Sequence, residues 1–248
     1  MAAKPGKIRL DVLLVERGLA ASRERAQALL LAGCVRVNGQ KMEKAGSQVM
    51  LDARVELAGE PPRYASRGGE KLEGALEDFG ISPAGCVCLD VGSSTGGFTD
   101  CLLQRGAKKV YAVDVTPKQM VWKLQQDARV ALIEKNARYL RPDDLPEAAE
   151  LVVMDVSFIS AAKVIPAVAP LAALRAVLLI LVKPQFELER GEVGKGGIVR
   201  EAELHEKAVE RVKAAATEAG LEIEGVKASR VTGAEGNQEF FLRARRKG

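Results

Sequence analysis

Residues 86–114, CVCLDVGSSTGGFTDCLLQRGAKKVYAVD, decide the fold. Cys86 to Val91 is a short, nearly all-apolar run, the pattern of a strand buried on both faces in a parallel sheet. Gly92-Ser93-Ser94-Thr95-Gly96-Gly97 follows, a tight turn whose glycines let a ligand approach the backbone closely. Phe98 to Gly106 has helical spacing, with Phe98, Cys101, Leu102 and Leu103 apolar and Gly106 as the stop. Lys109 to Val113 is a second strand, closed by Asp114.

An acid ending the second strand, about 20 residues after the glycine turn, is placed to bind a ribose diol. A dinucleotide site expects G-x-G-x-x-G, which seats a pyrophosphate on a helix N-terminus. Here the spacing is G-x-x-x-G-G, with Asp90 two residues before the first glycine. A carboxylate there repels a pyrophosphate but suits an amino acid's ammonium group. S-adenosylmethionine therefore fits better than a dinucleotide, although an ordinary strand-to-helix turn shares the pattern.

The rest of the chain bounds the answer. Its 248 residues hold one large domain plus a small one. The longest apolar run, Ala176 to Val182, is far too short to span a bilayer, and no apolar segment follows the basic N-terminal residues. Cys34, Cys86, Cys88 and Cys101 form no C-x-x-C pair, which predicts reduced thiols in a cytoplasmic protein, three of them in one core, with neither disulfides nor a metal site. The only histidine, His205, falls in a Glu- and Lys-rich helix and is expected on a solvated face. A Ser-His-Asp hydrolase is thereby disfavoured. Net charge is +4, but residues 1–71 carry +5 and the remainder −1, a basic front suited to gripping a polyanion.

In the front segment, Leu10, Leu13 and Leu14 share a helical face ending at Gly18. Ser22 caps a second predicted helix with Ala26, Leu29 and Leu30 apolar. Cys34 to Val37 alternates as a strand before Asn38-Gly39, a strong hairpin signal. Short strands near 49–51 and 54–57 complete a small α+β module, with Arg23, Arg25, Arg36 and Lys41 available to phosphates. Arg9-Leu10-Asp11, Leu14, Ser22-Arg23, Ala26, Leu30, Gly33, Val35, Val37 and Asn38-Gly39 resemble the RNA-binding domain shared by ribosomal protein S-four, pseudouridine synthases and bacterial tyrosyl-tRNA synthetases. That resemblance implies RNA contacts from Arg9, Ser22, Arg23, Arg36 and Lys41, with Arg63 and Arg67 just beyond.

The expected division is an RNA-binding domain over 1–60, a proline-containing linker over 61–66 and a larger domain over 67–248. A helix near Ser66 turns Leu72, Ala75, Leu76 and Phe79 inward and leaves Lys71 off that stripe, by itself a surface lysine. Beyond Asp114 the pattern predicts a helix at 118–124, strands at 130–134, 151–154 and 177–182, a polar loop or lid at 187–198, a helix at 202–219, and strands at 222–228 and 239–244. Alternation of this kind means an α/β fold with a doubly wound, mostly parallel sheet, and the final pair of strands implies one antiparallel member.

Asp90, Asp114, Asp155 and Lys183 each end a predicted strand, where such sheets bind their ligands. Lys183 directly follows a buried apolar run and needs a partner, which Asp155 on a neighbouring strand supplies. A structural ion pair at the sheet edge is the plainer explanation, but the adjacent cofactor cradle puts a functional role ahead of it. Lys71 in SRGGEKL, Asp155 in VVMDVSFIS, Lys183 in LVKPQFE and Glu239 in GNQEFFL resemble the Lys-Asp-Lys-Glu tetrad of FtsJ-like ribose 2′-O-methyltransferases. With DVGSSTGGFTD and the front module, the chain is similar throughout to the TlyA family, whose members often carry the name haemolysin.

The resemblance implies a Rossmann-like class I methyltransferase fold and S-adenosylmethionine-dependent 2′-O-methylation of cytidine in ribosomal RNA, with a ribosomal subunit as partner. It assigns Lys183 as the central lysine, Asp155 and Glu239 as the residues that orient it, and Lys71 as the one that places the ribose. Asp90, Gly92, Ser94, Gly96, Gly97 and Phe98 would face the methionine end of the cofactor, Asp114 its ribose and Asn136 its adenine. Two alternatives stand beside it: a membrane-active haemolysin, and a non-catalytic RNA-binding protein with a degenerate enzyme fold. The target nucleotide, the subunit that carries it and the oligomeric state stay open.

Overall fold

The computed structural model describes residues 6–31, 33–59, 63–189, 191–233 and 235–248. The chain divides into two compact units, Met1–Arg67 and Gly68–Gly248. Of the predicted linker, residues 61 and 62 lie outside the described residues, whereas Tyr64 is buried and its ring lies 5.5 Å from the Arg63 guanidinium.

The first unit contains β1 (Lys7–Arg9), α1 (Leu10–Glu16), α2 (Arg23–Leu31), β2 (Val35–Val37), β3 (Gln40–Met42), β4 (Gln48–Met50) and β5 (Val55–Leu57). Leu10, Leu13 and Leu14 pack with Ala26, Leu29 and Leu30 against Val35, Val37 and Val49, as their spacing predicts. Asn38 and Gly39 both take positive φ, the turn that a two-residue hairpin requires. The strand after that turn is Gln40–Met42, a polar segment that apolar alternation does not reveal. The later strands separate: β5 pairs with β2, whereas β4 pairs antiparallel with β1 in a second small sheet.

The second unit holds all but the first residue of α3 (Arg67–Asp78) and alternates through β6 (Val87–Val91), α4 (Gly97–Gln104), β7 (Lys109–Asp114), α5 (Trp122–Gln125), β8 (Val130–Glu134), β9 (Ala149–Met154), α6 (Ile165–Val168), β10 (Ala172–Val182), α7 (Pro184–Glu187), α8 (Ala202–Glu218), β11 (Leu221–Ala228) and β12 (Phe240–Arg246). Seven strands form one sheet in the order β11-β12-β10-β9-β6-β7-β8. All neighbours run parallel except β12, which is antiparallel to both β10 and β11. The chain order reverses between β6 and β9, which fixes the ligand crevice at the carboxyl ends of these central strands.

Three expectations need correction. The helix expected at 118–124 is a 3₁₀ turn at Pro117–Gln119 followed by the single turn α5, because the Val121 N–H is taken by the Thr95 carbonyl at 3.2 Å. His205 does not face solvent: it is half-buried, its ring centroid is 5.4 Å from that of Phe240, and Nε2 lies 3.0 Å from the Val199 carbonyl oxygen. The loop expected to begin at Glu187 begins on an anchor instead. Glu187 is buried and accepts hydrogen bonds from Ser160 Oγ at 2.5 Å and the Ala161 N–H at 2.6 Å. The four cysteines are free thiols; Cys34, Cys88 and Cys101 are buried and Cys86 is half-exposed.

Candidate active site

The glycine turn builds one wall. Gly92 has φ +86°, and a Cβ there would lie 2.3 Å from the Asp155 carbonyl oxygen, so no other residue fits. Gly96 also has positive φ, and its missing Cβ admits the side chains of Leu124 and Met120. Gly97 opens α4, and the following Phe98 buries its ring 6.2 Å from that of Phe241. The Phe98 side chain is therefore core packing and does not line the crevice.

Asp90 lies inside β6, fully buried. Its Oδ2 accepts a 2.6 Å bond from Thr99 Oγ1, whereas Oδ1 has no hydrogen-bond partner. Burial, reinforced by the negative charges of Asp155 and Asp114, pushes its pKa up to about 7. Ser93 Oγ is likewise buried and unpartnered. Asp114 staples the turn to the next loop: Oδ2 accepts the Ser94 N–H and Oδ1 the Thr116 N–H, both at 2.9 Å. Asn136 caps a short 3₁₀ turn through a 3.0 Å bond from the Arg138 N–H. Gly92, Ser94, Asp114, Asn136, Asp155 and Ser157 all line a cavity of about 690 Å³.

Beside this cavity stand two lysine–carboxylate pairs. Lys183, one residue past β10, places Nζ 2.5 Å from Oδ1 of Asp155, one residue past β9. Lys71 Nζ donates to Glu239 Oε2 at 2.5 Å, and both side chains are buried. Val182 pairs with Phe240 across β10 and β12, so Lys183 and Glu239 occupy the next rung of the same ladder. The four tetrad residues thus gather at one sheet edge as two pairs. Lys71, off the apolar stripe of α3, is 9 % exposed because Glu239 receives it. Buried ion pairs are weak evidence for stability, since desolvation offsets their attraction.

Three residues beside Lys183 escaped the sequence reading. Ser157 Oγ accepts a 2.8 Å hydrogen bond from Lys183 Nζ. Phe158 is 93 % exposed and takes φ +62°, a strained value for a bulky residue. Its ring is 5.5 Å from that of Phe186, which lies 6.0 Å from Lys183 Nζ. The ordinary-looking run Asp155-Val156-Ser157-Phe158 carries no periodicity that would have flagged them.

In the first unit, Arg9 forms a two-pronged pair with Asp11 at 3.0 and 2.9 Å, and Arg23 reaches the same carboxylate at 3.0 Å. Ser22 Oγ accepts the Arg25 N–H at 3.2 Å, a cap at the start of α2. Arg36 donates to the Gly39 carbonyl at 3.2 Å, and Lys41 pairs with Glu43 at 2.7 Å. Arg67 is the first residue of α3.

A seven-stranded sheet with one antiparallel strand, a glycine turn after its first strand and an acid closing the second is the frame of a class I methyltransferase. Residues 64–246 match the FtsJ-like methyltransferase family and residues 8–55 the S4 domain. A 16S/23S rRNA (cytidine-2′-O)-methyltransferase TlyA from Mycobacterium tuberculosis is 45% identical over 238 residues, 95% of this chain and 89% of that protein. Hemolysin A from Brachyspira hyodysenteriae is 43% identical over 94% of this chain and 98% of its own length. A solved structure from Streptococcus thermophilus, provisionally titled a hemolysin, superposes with a TM-score of 0.76 at 43% identity, covering 99% of this chain and 90% of that one. The chain belongs to the TlyA family of FtsJ-like methyltransferases. Among the described residues, no helix is long and apolar enough to cross a membrane.

Proposed function

We propose that the protein transfers a methyl group from S-adenosylmethionine to the 2′-hydroxyl of a cytidine in ribosomal RNA, presented by a ribosomal subunit in the cytoplasm. Residues 1–60 grip the RNA, 61–66 join the domains and 67–248 carry the chemistry. The observation that carries this reading is the pair of buried Lys183 with half-buried Asp155, one ladder rung from the Glu239–Lys71 pair and beside the glycine turn.

The residues present fit the cofactor. Asp90 Oδ1 and Ser93 Oγ are buried polar atoms without partners, and such atoms are rare unless a ligand completes them. Asp90 suits an ammonium group, Asp114 a ribose diol and Asn136 an adenine edge. When bound, S-adenosylmethionine supplies a methyl group on a cationic sulfur that departs as a neutral thioether. Because that charge disappears, positioning dominates over electrostatic stabilisation. Lys183 Nζ donates an N–H to the 2′-oxygen and aims it at the methyl carbon while the hydroxyl proton leaves to water, Asp155 keeps the ammonium in place, and Lys71, held by Glu239, places the ribose. The exposed ring of Phe158 offers a stacking face to an unpaired base.

The direct test is labelled methyl transfer to ribosomal subunits followed by nuclease mapping of the product. Lys183→Ala should lower incorporation by about 10² to 10⁴-fold. Incorporation unchanged in the variant removes the assigned mechanism, and label recovered on a base in place of a 2′-oxygen removes the reaction.

A further inference from the structure

A lysine head group carries three N–H positions on one freely turning carbon–nitrogen bond, so a single contact does not orient it. Asp155 Oδ1 is only 2.5 Å from Lys183 Nζ, yet that oxygen makes no aligned hydrogen bond. It supplies attraction without direction. The aligned bond runs to Ser157 Oγ at 2.8 Å.

The loop that carries Ser157 is built to hold still. Phe158, its neighbour, sits at φ +62°, a conformation that persists only where the surroundings enforce it. Just past it the chain is anchored by Glu187, buried one turn beyond Lys183, whose two oxygens accept from Ser160 Oγ and the Ala161 N–H. Ser157 is exposed and lines the cavity beside Asp155, so it stands between the lysine and the space open to a substrate.

We propose that Ser157 is a positioning residue: its hydroxyl fixes the rotation of the Lys183 head group so that one N–H position faces the incoming 2′-hydroxyl. The proposal rests on the ribose-methylation reading above. Asp155 holds the charge and Ser157 sets the direction.

The experiment measures steady-state methylation of ribosomal subunits by the full-length chain. Ser157→Ala should lower kcat about tenfold while KM for the subunit stays within twofold, the size of one lost hydrogen bond to a charged group. Ser157→Thr, which keeps the hydroxyl, should recover most of that loss. Ser157→Cys, which keeps the volume with a poor acceptor, should behave as the alanine variant does, and it serves if the alanine variant misfolds. A wild type that methylates no ribose overturns both readings. An active wild type with kcat unchanged in Ser157→Ala and Ser157→Cys overturns the role of Ser157 alone, as does failure of threonine to rescue.

Discussion

Asp11 in the first unit and Asp90 in the second are both sealed from solvent, and burial raises the pKa of both, yet their net shifts run in opposite directions. Asp11 receives the Arg9 guanidinium, then Arg23 and Gln27, and these donors hold its carboxyl well below the usual range. Asp90 receives one hydroxyl, from Thr99, and the negative charges of Asp155 and Asp114 add to the cost of burying its own. Burial sets the cost of the charge, and the partners decide whether that cost is met. Asp11 is a completed network that organises two arginines. Asp90 is an incomplete one, with Oδ1 left without a hydrogen-bond partner.

The largest effect expected from this contrast is on stability against pH. The folded pKa of Asp90 is raised, so its contribution is fully present below the ordinary carboxylate range and is lost as pH climbs through about 7. That span corresponds to about 4 kcal/mol, an upper bound for a buried group. Asp90→Asn keeps the shape without the charge. It should match wild type near pH 4 and exceed it by up to about 4 kcal/mol at pH 8. Denaturant unfolding followed through Trp122, the single tryptophan, reports on the second unit. If Asp90 receives the cofactor's ammonium group as proposed, S-adenosylmethionine affinity should rise between pH 6 and 8 in wild type and stay flat in the variant. A variant that tracks wild type at every pH would erase the contrast.

A smaller effect is expected in RNA binding. Asp11→Asn adds a positive charge to a basic module, so net charge alone predicts tighter binding. The geometry predicts the reverse. Arg9 and Arg23 are 45% and 53% exposed, and the Asp11 carboxylate holds both guanidiniums on one side. Releasing them should weaken RNA binding about fivefold, roughly 1 kcal/mol, as two long side chains regain their freedom. The folded pKa of Asp11 is lowered, so its stabilisation is present above the ordinary carboxylate range and is lost as pH falls below it. Filter binding of ribosomal RNA at fixed salt measures the change, and tighter binding by the variant would sink the idea.

How much of this was legible in the residues depends on whether a contact is local. The stretch from Cys86 to Asp114 spells its strand, turn and helix through patterns within a few residues, and β6, α4 and β7 follow it closely. The antiparallel β12 was legible because no helix separates it from β11. Half of the tetrad, Asp155 and Lys183, was legible from strand ends, but Lys71 and Glu239 were visible only through resemblance: Lys71 looks like a surface residue until Glu239, 168 positions away, meets it. The sheet that joins β1 to β4 and the bond from Lys183 to Ser157 likewise depend on distant chain meeting distant chain. Pro117 gave a partial warning of the broken helix before α5, but the Thr95 carbonyl that captures the Val121 N–H leaves no mark on local spacing.

The smallest effect concerns Ser22, which the family resemblance casts as an RNA contact. In the structure its hydroxyl accepts the Arg25 N–H at 3.2 Å, a long cap on the nine-residue α2. Ser22→Ala should therefore lower stability by about 0.5–1 kcal/mol, the weaker end for such caps. Arg23, the first residue of the helix it caps, bonds to Asp11. If the cap acts only by steadying Arg23 on that carboxylate, the substitution weakens RNA binding about twofold in wild type and adds nothing once Asp11→Asn has already released the arginine. A direct hydroxyl–RNA contact gives a different result, the same loss in both backgrounds. The double-mutant cycle thus decides whether Ser22 belongs to the completed network around Asp11 or to the surface that meets RNA.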